Sequence, residues 1–114
     1  MASLRIADYA PSPGGRFIVD GEYSGEWFRD TVLAPALQSA VEASEALVVV
    51  LDGTSGYGSS FLEEAFGGLI RRRLFPPRTV REMLKITAET SLYKPYKALA
   101  EKYIQAAKPD TVAA

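Results

Sequence analysis

The chain contains neither cysteine nor histidine. The first absence excludes disulfides and thiolate metal sites. The second removes the commonest general base near neutral pH and the commonest metal ligand. Long apolar runs are also missing: the longest, 46–51, is far too short to span a bilayer. The N-terminus MASLRIADYA lacks a basic start followed by an apolar core, so no secretory signal is expected and a cytoplasmic location is the default. Net charge is nearly absent at −1, so no global field draws the chain to nucleic acid or an anionic membrane. What remains, 114 residues at 47 % hydrophobic and 24 % charged, is enough for one domain with a single core.

Local patterns give an order of elements. Ser3–Tyr9 alternates as a strand, Ala10–Gly15 is a turn cluster, and Arg16–Asp20 reads as a returning strand, together an N-terminal hairpin. Ser24 is placed to cap a helix carrying Phe28, Val32, Leu37 and Val41 on one face, with Glu26 in its first turn, an expected kink at Pro35 and an end near Ser44. Ala46–Leu51 suits a central strand covered on both faces. A helix over 61–73, a break at Phe75–Arg78 and a short strand over Met83–Ala88 follow. Thr90 or Ser91 then opens a last helix lined by Leu92, Tyr96, Leu99 and Tyr103, with Pro95 in its first turn. The fold expected is a single α/β domain over 1–107, with a four-stranded mixed sheet and three helices, and a frayed tail over 108–114.

The segment 47–73, LVVVLDGTSGYGSSFLEEAFGGLIRRR, is the most informative part. It places hydroxyls and free N–H groups at the positive end of a helix, where they can hold an anion, carry a phosphate or cap the helix. Ser60-Phe61-Leu62-Glu63 matches a capping box, with Ser60 as the cap and Glu63 reaching back. Ser59 is then left over near the free N–H groups. The glycine spacing from Gly53 to Ser60 also resembles a phosphate-binding loop, but Ser59 stands where its lysine is required, which argues against tight nucleotide binding and leaves a simple anion. Gly67-Gly68, mid-helix, costs about 1 kcal/mol per glycine relative to alanine and so calls for close approach, either by the sheet or by a docking partner. Asp52 at a strand end can hydrogen-bond loop amides or hold a cation, and Tyr57 at a loop tip suits a partner interface.

Other groups carry less. Arg71, Arg72, Arg73, Arg78 and Arg81 cluster at a helix end, where they complement the dipole, and offer too little counterion release for a nucleic-acid partner. Glu63 and Glu64 are adjacent on a helix and should not converge on one site. Tyr23, Trp27 and Phe28 read as packing or as an aromatic platform. Serine chemistry would need a base, and no Ser–Lys spacing is evident, so no catalysis and no cofactor are expected.

SGEWFRDTVLAPAL followed by VVVLDGTSGYGSSFLEEAFGGL resembles an uncharacterised bacterial and phage family described as STAS-like, over residues 13 to 107. More broadly the chain is similar to STAS domains that antagonise anti-sigma factors. The resemblance implies a protein-interaction module in signalling or defence. It also implies a partner ATPase of the histidine-kinase-like type that phosphorylates the first serine of the helix, here Ser59, with Ser60 next. The chain departs from those regulators at Gly58, where they carry aspartate, at Phe61, where they carry glycine, and after Tyr103, where they continue with a strand and helix. Docking is then expected through Asp52, Thr54, Tyr57 and Gly58 and through the helix face of Phe61, Gly67 and Gly68. The alternative is a small-anion or nucleotide-binding protein using Gly53–Ser60. The oligomeric state stays open, a homodimer included.

Overall fold

The computed structural model describes residues 2–111. Three strands, β1 (Ala2–Arg5), β2 (Leu47–Val50) and β3 (Leu84–Thr87), form one parallel sheet in the order β1-β2-β3. Leu47 lies beside Ala2 and Leu84, and Val49 beside Leu4 and Ile86. Four helices accompany them: α1 (residues 25–42), α2 (residues 59–71), α3 (Pro77–Met83) and α4 (Lys94–Ala106). The sheet is therefore three-stranded and parallel rather than four-stranded and mixed, with four helices rather than three.

The missing strand is Arg16–Asp20. Its alternation is real, but its backbone is committed to the start of α1. The carbonyls of Gly15 and Arg16 accept from the Gly25 and Glu26 N–H groups, at 3.0 and 2.9 Å. Ser24 Oγ takes the Trp27 N–H, and the Glu26 carboxylate reaches back to the Ile18 N–H. Every donor of the first turn thus finds a partner. Gly15 turns the chain at φ +77°, and Ile18–Asp20 closes as a single 3₁₀ turn that leaves Val19 90 % exposed. The extra helix begins at Pro77, inside the expected break. Proline is tolerated in a first turn because its missing N–H would be unpaired there anyway.

α1 and α2 each widen into a π turn, Arg29–Leu33 in α1 and Glu63–Gly67 in α2. The first lies just ahead of Pro35, and the Ala34 N–H bonds back to the Arg29 carbonyl. α1 runs on through the proline to Glu42.

The core lies on one face of the sheet. Leu47, Val49 and Leu51 are buried in it with Phe28, Leu33 and Leu37 of α1, Phe61, Phe66 and Leu69 of α2, and Ala100 and Ile104 of α4. Val48 and Val50 are half-buried and lie outside that core. β2 is thus covered on one face, not two. In the last helix Ala100 and Ile104 take the deepest positions, Tyr96, Leu99 and Tyr103 are half-buried, and Leu92 stands 72 % exposed on the preceding 3₁₀ turn. The expected tail is tied at Asp110, whose N–H donates to the Arg71 carbonyl, while Arg73 donates to the Asp110 carbonyl. The rest of that tail, 112–114, lies outside the described residues.

Within the core sits an ion pair. Arg29 and Glu64 are each almost fully buried, with side chains 2 % and 3 % exposed, and the guanidinium donates to the carboxylate from one π turn to the other. Arg29 Nε also donates to Asp30, and its Nη1 to the Glu64 carbonyl. Arg16 and Arg71 each bridge Glu64 and Glu63 from the outside. The two glutamates therefore do converge, on shared arginines, in a π turn where the angular step between neighbours is smaller than in an α-helix. Burial alone would drive the Glu64 carboxyl upward, but Arg29, Arg16 and Arg71 hold it below the ordinary value.

Glycines make the room. A Cβ on Gly68 would stand 2.6 Å from Arg29 Nη1, and one on Gly25 would stand 2.6 Å from the Phe61 carbonyl oxygen. The close approach expected at Gly67-Gly68 is thus real, but the neighbours are Arg29 and Glu63 rather than the sheet or a partner. Gly25→Ala should cost about 1–3 kcal/mol, because the atom in the way is backbone. Arg29→Met should cost about 3–5 kcal/mol by stranding a buried carboxylate, and Arg29→Met/Glu64→Leu should recover much of that loss. Urea denaturation of the variants, read as a double-mutant cycle for the pair, checks all three.

Candidate functional site

The candidate site is the loop joining β2 to α2, with the first turn of α2. Positive φ values at Gly53 (+100°) and Gly56 (+115°) let the chain double back. Inside that fold-back the Thr54 hydroxyl accepts from the Gly56 N–H at 3.1 Å. The Ser55 N–H reaches the Pro11 carbonyl at 3.0 Å.

Three side chains hold the loop from beneath. Tyr57 is buried, with its ring among Phe61, Tyr93 and Tyr96, and its hydroxyl donates to the Leu51 carbonyl at 2.6 Å. Burial pushes that phenol well above its ordinary value, so it stays a donor. Tyr93 donates its hydroxyl to the Thr54 carbonyl. Asp52 is buried and accepts from the Glu89 N–H (2.7 Å), the Thr90 N–H (2.9 Å) and the Thr90 hydroxyl (2.9 Å). Burial would raise the Asp52 carboxyl, but these donors hold it below its ordinary value. Arg5 closes the group by donating to the Asp52 carbonyl and pairing with Glu89.

Several expected roles change here. Tyr57 is an internal strut, not an exposed anchor. Asp52 uses amides, but those of the segment after β3 rather than its own loop. α2 begins at Ser59, with Gly58 at its cap position and no side chain capping it. Ser60 is therefore not a capping-box residue, and Glu63 is bound to Arg16 and Arg71 instead. Phe61, Gly67 and Gly68 are buried, so the helix face they share is not a docking surface in this fold. Gly53, Ser55, Gly58, Ser59 and Ser60 remain exposed. A cleft of about 100 Å³ opens beside them, between Thr54–Gly56 and Leu92, Tyr93 and Tyr96. Leu92, which the sequence placed in a core, is the exposed apolar residue of this cluster.

The other groups are accounted for by packing and pairing. Tyr23 and Trp27 stack edge to face, and Phe28 packs on Phe61. Arg71 and Arg73 are engaged as described above, Arg78 pairs with Glu82, and Arg81 donates to the last carbonyls of α4. The arginines thus disperse rather than form one basic patch. Among the described residues no group of three acidic side chains comes together to hold a metal, and no helix is long and apolar enough to cross a membrane.

Residues 24–94 match the family described as STAS-like domain of unknown function (DUF4325). The chain belongs to this family. The STAS-like match spans α1, β2, α2, α3, β3 and the turn leading into α4, and so contains the loop and the first turn of α2, while Arg5, Pro11 and Tyr96 around them lie outside it. Neither a curated protein nor a solved structure matches the chain.

Because Asp52 titrates below its ordinary value in the fold, its contribution to stability is complete above about pH 5 and fades as the pH falls through the carboxylate range. Asp52→Asn should cost about 1–3 kcal/mol at neutral pH by leaving buried donors badly served. The gap between the two melting temperatures should narrow steadily on acidification towards about pH 3, as seen by circular dichroism melts across that range.

Proposed function

We propose that this STAS-like chain is a non-enzymatic regulatory module that binds a protein partner through the exposed positions of the loop 53–60, which exclude the buried Thr54 and Tyr57, with Ser59 and Ser60 as positions controlled by phosphorylation. The observation that carries the reading is the pairing of exposure with stiffness. Two adjacent hydroxyls stand exposed at a helix start, neither spent on capping, over a loop fastened by Asp52, Tyr57 and Tyr93. A phosphate there would meet main-chain N–H groups at the positive end of α2. The carboxylates further along the helix, Glu63 and Glu64, already lie against arginines. The added charge would therefore leave the fold in place and change what the surface offers a partner.

The partner this reading names is a histidine-kinase-like ATPase, which would act on the serine and bind the unmodified form. The interface is smaller than the sequence implied, because the face of α2 is occupied internally. It consists of Gly53, Ser55 and Gly58 of the loop, Ser59 and Ser60 at the start of α2, and Leu92.

The test takes a histidine-kinase-like ATPase as the partner, drawn from beside the gene where one is encoded there. Binding to wild type, Ser59→Ala and Ser59→Asp is compared by calorimetry. Ser59→Asp should bind at least about tenfold more weakly, and Ser59→Ala like wild type. All three should share one melting temperature to within about 2 °C. Equal affinities across the series would remove the switch.

A further inference from the structure

β3 ends the sheet, and a groove runs along its open side. The part between β3, α3 and α4 encloses about 420 Å³ over a buried apolar floor of Val80, Leu84, Ile86 and Ile104. It continues past Thr87 and Ala88, sharing Lys97 and Glu101 with the first part.

The backbone there is open. The Leu51 N–H donates to the Thr87 carbonyl, so Thr87 turns its main-chain groups towards β2. Neighbouring residues of a strand alternate, so Ile86 turns its N–H and C=O towards the groove. The Leu84 N–H is taken by the Val80 carbonyl. Among the described residues no further strand pairs with this edge. Free main-chain groups beside an apolar trough are what an incoming extended strand requires.

The rim selects its charge. Arg81, Lys85, Lys94 and Lys97 line the two parts of the groove against a single carboxylate, Glu101. Two copies of the chain meeting edge to edge would set this basic rim against itself. A four-residue edge carrying Lys85 is a known guard against such self-pairing, and it does not obstruct a strand of opposite charge.

We propose that the β3 edge is a docking site for an extended acidic peptide segment of a partner protein, which adds a fourth strand and lays alternate apolar side chains on Ile86 and Ile104. The site is separate from the loop 53–60 and stands or falls independently of it.

The test titrates the ¹⁵N-labelled full chain with a blocked peptide of about eight residues alternating valine and glutamate. A valine–lysine peptide of the same length is the control. The acidic peptide should shift the amides of 84–88 and slow exchange at Ile86, while Ser59 and Ser60 stay unmoved. Binding should weaken with salt, and by about tenfold or more for the control peptide and for Lys85→Glu/Lys94→Glu, whose side chains are exposed and free to change. No shift along 84–88 at about 1 mM peptide, or equal binding of both peptides, would overturn the proposal. So would a dimer of the chain alone, seen by sedimentation, that protects Ile86 without peptide.

Discussion

The buried pair of Arg29 and Glu64 sets the terms for the rest of the fold. Two charges cannot leave water without a penalty of several kcal/mol each, so the surroundings must be built to receive them. Arg29 spreads its donors over Asp30 and both the carbonyl and the carboxylate of Glu64. Glu64 in turn draws in Arg16 from the loop before α1 and Arg71 from the end of α2. Gly25 and Gly68 stay without side chains so that the helices come close enough for this to happen. An apolar pair could slide along α2 with little loss. An arginine that finds its acceptors at one place only does not slide. The role we assign to the pair is therefore register between α1 and α2 rather than bulk stability, and the double-mutant cycle separates the two.

That register decides which part of α2 can face a partner. The stripe of Phe61, Leu62, Phe66 and Leu69 packs inward against α1 and α4, and the arginines cover the polar shoulder formed by Glu63 and Glu64. Of α2 only Ser59 and Ser60, at its start, stand exposed. Under the proposed function, recognition at α2 would fall to the loop and its serines, a narrow surface that a single phosphate would dominate.

The elements with strong local patterns were legible. LVVVL and MLKIT gave two of the three strands, with the parallel arrangement following from the helices between them, and the strand expected over Ser3–Tyr9 is met only as far as Arg5, where Ile6–Asp8 turns as a 3₁₀ helix. What misled was local consistency without knowledge of the partner. RFIVD alternates as a strand does, but α1 needs the carbonyls at its start. Glu63 completes a capping-box spacing, but two arginines distant in sequence or across the π turn compete for it. Tyr57 sits in a glycine-rich loop, which suggests a tip, yet Leu51 offers its hydroxyl a buried acceptor. One signal for the ion pair was present. Arg29 falls in step with the buried Leu33, Leu37 and Ala40, and Glu64 lies in the stripe of α2 between buried neighbours. Opposite charges on the core faces of two successive helices are costly unless they meet.

Asp52 links the loop to the far side of the sheet. It lies two residues past the end of β2, yet its three donors belong to Glu89 and Thr90, just after β3. A few residues later Tyr93 returns a hydroxyl to the Thr54 carbonyl. The turn before α2 and the turn before α4 are therefore one hydrogen-bonded body rather than two mobile loops. A charge introduced at Ser59 meets a backbone with little freedom to rearrange, because moving the loop would strand the buried Asp52 carboxylate or the Tyr57 hydroxyl. Under the proposed function, an electrostatic change there would be read directly, through attraction, repulsion and desolvation at the surface, and the fold beneath it need not move.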